Sequence, residues 1–539
     1  MDGDFKGDFT RDNFDPFKRF SRVLMQQGRV LLDADWNEQV DMLLRYLRTL
    51  AGDLIGPFGG PVGGGFEITV PTPPQAGDFT ISSGDYYVDG ILVEIPPVDE
   101  QGQPIPTTYK NQPYNPQPED LPASGEASRL VYLDVWELQV SFIQDDTIRE
   151  VALGVNGPDT ATRALVVWQV KTLDASGFSD ILQRIQGAPD IATKIQAIKD
   201  LAVALKARFV PQNRGLLRAR AKVDATDTTD VCITPPDALY RGAENQLYRV
   251  EIHNGGTAGP SSDTPGTPRT RKGSGTKAPA SGGGSLTGAT FKWSREDGSV
   301  VFPIVNIDGK LITLANLGRD EHLGLEKDDW VEVIDDDYTL QILGNPAVQP
   351  GNPTVQPFPL LRVDVVDPLN LTVTLSDAPQ IQNPFDATKH PLLRRWDQKP
   401  RASKTGGPPD PFDPATGTVN IVESAGESEE DDDWITLEDS VQIQFPHRPD
   451  PPHPNDPAAM YRPGDYWLIP ARTIIGDVEW PQKPDPAGKL PSVAVSLSPH
   501  GVEHHYAPLA GIALANGTVT GNPIPLLLRF KTLVELSNP

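Results

Sequence analysis

Among its 539 residues the chain has one cysteine and four methionines. A single Cys232 excludes an internal disulfide, so stability must come from packing and hydrogen bonding, which a chain of this length can supply. Its neighbours Val231 and Ile233 make it read as a buried structural thiol rather than a nucleophile. No apolar run approaches the roughly 18 residues that a spanning helix needs, so no membrane insertion is expected. Met1-Asp2-Gly3-Asp4 shows neither the basic nor the apolar region of a Sec-type leader, so synthesis in the cytoplasm without a signal peptide is expected. Positive charge is scarce as well. The 47 Lys and Arg face 73 Asp and Glu, a formal charge of −26. Such a surface repels phosphate backbones and anionic headgroups, which argues against nucleic acid and membrane surfaces as partners. Also missing are a phosphate-binding G-x-x-x-x-G-K-[ST] loop, a dinucleotide fingerprint after a strand, and a G-x-S-x-G elbow. Neither an enzyme nor a cofactor is expected on these grounds.

What is abundant is proline and glycine, 55 and 48 residues, about a fifth of the chain. Proline cannot donate to a sheet ladder and breaks helix interiors, so many short strands joined by ordered loops are expected. The length implies two to four domains. The predicted fold is mainly β: several β-sandwich or irregular-barrel modules, an N-terminal amphipathic helical arm and one inserted helix. The expected division is a helical arm over 1–60, a first β-domain with a hairpin over 61–180, and a helical insertion over 181–215. A second β-domain follows over 216–398, then a linker and C-terminal β-domain over 399–539.

Particular patterns carry this reading. Trp36, Val40, Leu43, Leu44, Leu47, Leu50, Ala51 and Leu54 fall on one helical face, with Asp41, Arg45 and Arg48 on the other. Asp35 and Glu38 suggest a capping box, and Gly56-Pro57 a stop. The face formed by Trp36, Val40, Leu43, Leu47, Leu50 and Leu54 must pack either on its own chain or on a neighbouring subunit. Asp89-Gly90, between two apolar runs, predicts a hairpin. A second helix is expected from Ile191, Ile195, Ile198, Ala202, Leu205 and Phe209, with Asp190 as N-cap. Strands are predicted at 130–142, 164–171, 247–252, 290–293, 300–305, 330–334, 360–366 and 371–375, then at 435–445, 466–469 and 493–497. The long segment 255–288, with Arg269, Arg271 and Lys272, reads as a surface excursion that a partner could contact. The acidic run 427–433 reads as a solvated loop.

Three patterns invite a metal. His500-Gly501-Val502-Glu503-His504, followed by His505, spells the H-x-x-E-H order of one class of zinc peptidases. That chemistry needs both histidines on one helical face, and Pro499, Gly501 and Pro508 oppose a helix here, so hydrogen-bonded histidines in a turn are expected instead. Asp33-Ala34-Asp35-Trp36-Asn37 opens like a calcium loop, but Glu38 and Leu44 stand where glycine and glutamate belong. Asp335-Asp336-Asp337 could hold calcium in a loop. No acid/base carboxylate pair stands out in so acidic a chain.

Several blocks, taken together, resemble an uncharacterised bacterial family. They include Lys6-Gly7-Asp8-Phe9-Thr10-Arg11-Asp12, Val23-Leu24-Met25-Gln26-Gln27-Gly28-Arg29-Val30 and Asp33-Ala34-Asp35-Trp36-Asn37-Glu38-Gln39. Further blocks are Tyr132-Leu133-Asp134-Val135-Trp136-Glu137, Asp159-Thr160-Ala161-Thr162-Arg163, Phe291-Lys292-Trp293-Ser294-Arg295-Glu296 and the run from Tyr240 to Tyr248. Near the end, 464–472 and 504–510 fit as well. Members of that family are often encoded with phage-tail-like contractile injection systems. Gly84-Asp85-Tyr86-Tyr87-Val88-Asp89-Gly90 also resembles an element of phage baseplate and tail proteins. The resemblance implies a structural subunit near the baseplate or fibre end of a particle that has three- or six-fold symmetry and can be released from the cell. Its partners would be other subunits of the particle and further copies of itself.

Two other classes stay open. A binding module for glycans or a cell surface could stack sugars on Trp330, Trp467 or Trp480, although the same residues could fill sandwich cores. A metal-dependent hydrolase would rest on the histidine cluster.

Overall fold

The computed structural model describes residues 3–99, 101–154, 158–209, 213–223, 238–258, 288–320, 322–344, 357–381, 385–401, 410–424, 434–447, 459–485 and 492–532. Cys232, the basic cluster at Arg269, Arg271 and Lys272, and the acidic run 427–433 lie outside these residues, as does 402–409 of the expected linker.

The protein is mainly β and multidomain, with several sheets and four α-helices among the described residues. The first body is built on two long antiparallel strands, Glu126–Val140 and Arg163–Asp174. Their central residues Leu130, Val131, Leu133, Val135, Val167 and Val170 are fully buried, as long β-branched and aliphatic runs demand. Beside them sit the hairpin Gly84–Val88/Ile91–Ile95 and the helix Ile191–Phe209. Asp89 and Gly90 adopt φ of 47° and 81°, the paired left-handed conformation of a tight hairpin turn. Asp190 caps the helix, accepting from the Thr193 N–H at 2.7 Å, and Phe209 at its far end stacks on Tyr506 at 4.8 Å. Ile198 and Leu205 are buried as expected, whereas Ile191 stays exposed.

The second body is a six-stranded sheet in the order Phe412–Asp413, Thr418–Asn420, Thr290–Ser294, Gln246–Ile252, Tyr466–Arg472, Asp477–Val478. Phe291, Phe445, Tyr461 and Trp467 fill the core between it and the strands Arg218–Ala221 and Val441–Pro446. The third is a closed barrel of Val301–Asp308, Leu311–Leu314, Thr372–Leu375, Leu361–Asp367, Trp330–Ile334 and Leu392–Trp396. It enters the chain between two strands of the six-stranded sheet and has its own apolar centre around Phe302, Val331, Val363 and Leu393.

The sheets do not follow the expected linear division. Segment 399–539 is not one separate unit: His505–Ala515 lies between Thr518–Pro525 and Glu126–Val140 in the first body, and Tyr466–Arg472 pairs with Gln246–Ile252 in the second. Other expectations also shift. The strand expected over 435–445 breaks into Ile435–Thr436 and Val441–Pro446, because Asp439 and Ser440 turn the chain through positive φ. A short helix, Ser179–Gln186, lies largely inside the expected helical insertion 181–215, and another, Asp336–Leu343, begins where a loop is expected at Asp335-Asp336-Asp337. The N-terminal helix spans Asp33–Ile55, two residues earlier than the proposed Asp35 cap, and Leu32 at its N-cap makes no side-chain bond. Asp33 instead accepts from the Thr10 N–H at 2.8 Å, tying the helix to the segment before it. Gly56 ends it, its N–H donating to Gly52 O at 2.8 Å.

Candidate interaction site

The N-terminal segment before this helix is anchored by buried charge. In the strand Gln246–Ile252 every residue is buried, so Arg249 and Glu251, two apart on one face, must find partners. Arg249 Nε donates to Glu251 Oε2 at 2.7 Å and Nη1 to Asp297 Oδ1 at 3.2 Å and Phe5 O at 3.1 Å, while Nη2 reaches Asp4. Its guanidinium lies over the Tyr466 ring at 3.5 Å. Lys6 bridges Asp4 at 2.6 Å and Glu251 at 3.2 Å. Lys292, directly opposite Glu251 in the sheet, reaches Glu251 at 3.3 Å and Glu332 of the barrel at 2.9 Å. Trp396 Nε1 donates to the same Glu332 oxygen at 3.3 Å.

The backbone of the segment is fixed too. Gln139 and Lys6 exchange two hydrogen bonds of 2.5 and 2.6 Å, Tyr466 Oη donates to Gly3 O at 2.7 Å, and Arg472 Nη2 to Thr10 O at 2.6 Å. One network thus joins the N-terminal segment, the first body, the six-stranded sheet and the barrel. Burial works against the charge of Glu251, yet Lys6, Lys292 and Arg249 hold its carboxyl well below the ordinary range. For Asp297 burial wins over Arg249 and pushes the carboxyl up to about 7. His253, on the same strand's end, is driven down to about 3 by burial, with the Lys292 charge adding to it. Unpairing one member of such a network typically costs about 3–5 kcal/mol, because a charge is left buried alone.

Above the network lies a groove of about 2140 Å³, bounded by the N-terminal segment, the helix Asp33–Ile55, the first body and the barrel. Its walls mix apolar side chains such as Trp36, Val40 and Leu44 with charged ones such as Asp159, Arg163 and Arg319. The helix sits on the body through its polar side. Ala34 and Met42 are its buried residues, and Arg48 pairs with Glu137 at 2.8 Å. Trp36, Val40, Leu43, Leu47, Leu50 and Leu54 all point to solvent. Docking on its own chain does not cover this stripe, because the contacts that hold the helix lie off it, among them the Arg48–Glu137 salt bridge, a backbone approach to Gly90, the buried Ala34 and Met42, and the Asp33 bond to Thr10. The segment leading to the helix likewise exposes Phe17, Phe20, Leu24, Met25, Val30 and Leu31.

The histidines of the H-x-x-E-H pattern diverge. Residues 501–504 are irregular and His505 opens the strand His505–Ala515, so the motif is not helical. His500 pairs through its backbone with Tyr466 and stacks on that ring at 5.5 Å. His504 Nδ1 lies 2.7 Å from Asp134, a buried carboxylate that Lys171 also contacts at 2.6 Å, and His505 Nδ1 lies 2.9 Å from Asp89 in the hairpin turn. Two separate carboxylates therefore hold the two adjacent imidazoles, and among the described residues no group of three or more His, Cys, Asp and Glu is placed to hold a metal ion. Asp335 caps the helix Asp336–Leu343, accepting from the Tyr338 N–H at 2.8 Å, while Asp336 meets His390 at 2.6 Å and Asp337 meets Lys389 at 3.0 Å. Trp330, Trp467 and Trp480 are buried in the core of the second body and are not available to stack on sugars. No described helix is long and apolar enough to cross a membrane.

A family model described as a family of unknown function, DUF6519, matches residues 5–210 and 190–520. The chain belongs to this family. The matched residues take in the anchored segment from Phe5 onward, the exposed helix, the barrel, the whole strand His505–Ala515 and the start of Thr518–Pro525. Neither the curated proteins nor the solved structures return a match.

Sequence reasoning reached the apolar stripe but missed the charge network beneath it. The available signal was the placement of Arg249, Glu251 and Lys292 inside strands that are otherwise continuous runs of core residues.

Proposed function

We propose that this protein is a non-enzymatic structural subunit of a phage-tail-like contractile injection particle, placed at the baseplate or fibre end. It assembles through protein–protein contacts with other subunits and with further copies of itself, in a three- or six-fold arrangement. The observation that supports an assembling role is the outward apolar stripe of the helix Asp33–Ile55, continued by the exposed residues before it. Monomeric proteins seldom leave so large an apolar surface in water. The charge network supports the same role, since it clamps the base of this arm to three sheets and so gives a docking element a rigid mount. The choice of particle rests on the sequence blocks that resemble proteins encoded with such systems. An acidic surface helps solubility at high local concentration, and neither nucleic acid nor a membrane is a partner in this reading.

The test is cryo-electron microscopy of particles sedimented from the native cells, with mass spectrometry of their subunits. The chain is expected at fixed stoichiometry beside sheath and tube proteins. Its absence from every particle would overturn the reading.

A further inference from the structure

We infer that the helix Asp33–Ile55 packs against the same helix of a second copy of this chain, an inference that rests on the assembling role proposed above. The exposed residues Trp36, Val40, Leu43, Leu47, Leu50 and Leu54 are spaced 4, 3, 4, 3 and 4 residues apart. That is an unbroken heptad seam over nearly three repeats, the spacing by which one helix meets another, and Leu44 and Ala51 widen it along one edge. Their exposure runs from 39% for Val40 to 78% for Leu54, so the seam is open along its whole length.

The flanks of the seam identify the partner. In heptad terms the positions on either side are Asn37, Leu44 and Ala51 along one edge and Gln39, Tyr46 and Asp53 along the other. Only Asp53, at the end, is charged. Facing edges of identical helices therefore bring no like charges together, and no opposite charge is called for from a different partner. Asp41 and Arg48 lie on the side turned to its own body, where Arg48 meets Glu137. The area is sufficient as well. The six seam residues and the six exposed large apolar residues of the preceding segment together present apolar area comparable to the roughly 800 Å² per partner of a standard interface.

The experiment compares the full chain with the double variant Leu43→Glu/Leu47→Glu by size-exclusion chromatography with light scattering, at about 1–100 µM. Both positions are exposed, so the variant is expected to keep the circular dichroism spectrum and melting temperature of the monomer unit. The native chain is expected to run as an oligomer and the variant as a monomer. In a Cys232→Ser background, Leu47→Cys is expected to give a cross-linked dimer on mild oxidation, whereas a cysteine at the exposed Thr49 gives none. A native chain that stays monomeric at the highest concentration, or a variant that stays oligomeric, overturns the pairing. A monomer that is nonetheless found in isolated particles overturns only this inference and leaves the structural role standing. An oligomer absent from all particles does the reverse.

Discussion

His253 gives the protein an acid sensitivity that can be assigned to one side chain. It is buried at the end of the strand Gln246–Ile252, near Lys292, Glu332 and Glu251, and burial drives its imidazole from 6.5 down to about 3. Between those two values the unfolded chain binds a proton that the folded chain does not. Stability that His253 contributes in full above pH 6.5 is therefore lost progressively as pH falls toward 3. In His253→Gln this loss is absent. The difference in unfolding free energy between native and variant, followed by urea titration at pH 7, 6, 5 and 4, is expected to fall with acidification at up to about 1.4 kcal/mol per pH unit. Carboxylates elsewhere titrate in both proteins and cancel. A difference that does not vary with pH would show that His253 titrates as it would in water.

At the scale of elements, the hairpin turn and the N-terminal helix hold one another. Gly90 has φ of 81°, and a Cβ added there would collide with the backbone of Arg48 in the helix. Backbone cannot rotate aside as a side chain can, so Gly90→Ala is expected to lose at least about 1–2 kcal/mol from the left-handed conformation alone and to lift the helix from its seat. Trypsin is expected to cut after Arg45 or Arg48 markedly faster in the variant than in the native chain. Equal cleavage rates would mean that the helix is held by Arg48–Glu137 without help from the close approach. The hairpin was legible in the sequence because Asp-Gly between apolar runs has few other uses. The helix was legible from its spacing, but the side on which it docks was not, since the body holds it through the Arg48–Glu137 salt bridge and through Ala34 and Met42 rather than through its apolar stripe. The strand His505–Ala515 escaped notice for a different reason. Pro508 and Gly511 argue against a strand, and the structure accommodates them with shifts of register beside each. Of the charge network only the charged residues inside core strands were legible; the partners are scattered from Asp4 to Trp396 and only the tertiary fold brings them together.

For the molecule as a whole, the return of the chain through earlier sheets decides which pieces can stand alone. The barrel leaves and re-enters the six-stranded sheet at nearby points and owns a closed core, so it resembles an inserted unit. The C-terminal third has no such independence. His505–Ala515 fills the place beside Glu126–Val140, and its Tyr506, Ala507, Leu509, Ala510 and Ile512 are buried in the first body. Removing it uncovers both the long apolar face and the hydrogen-bonding edge of Glu126–Val140, which is the configuration that invites aggregation. A chain ending at residue 398 is therefore expected to be insoluble, or to lose the cooperative melting transition of the full protein. Were 399–539 an autonomous domain, that same truncation would stay soluble and melt cooperatively. Comparing the solubility and thermal unfolding of residues 1–398 with those of the full chain separates the two architectures, because the linear division predicts a folded remainder and the observed strand order does not.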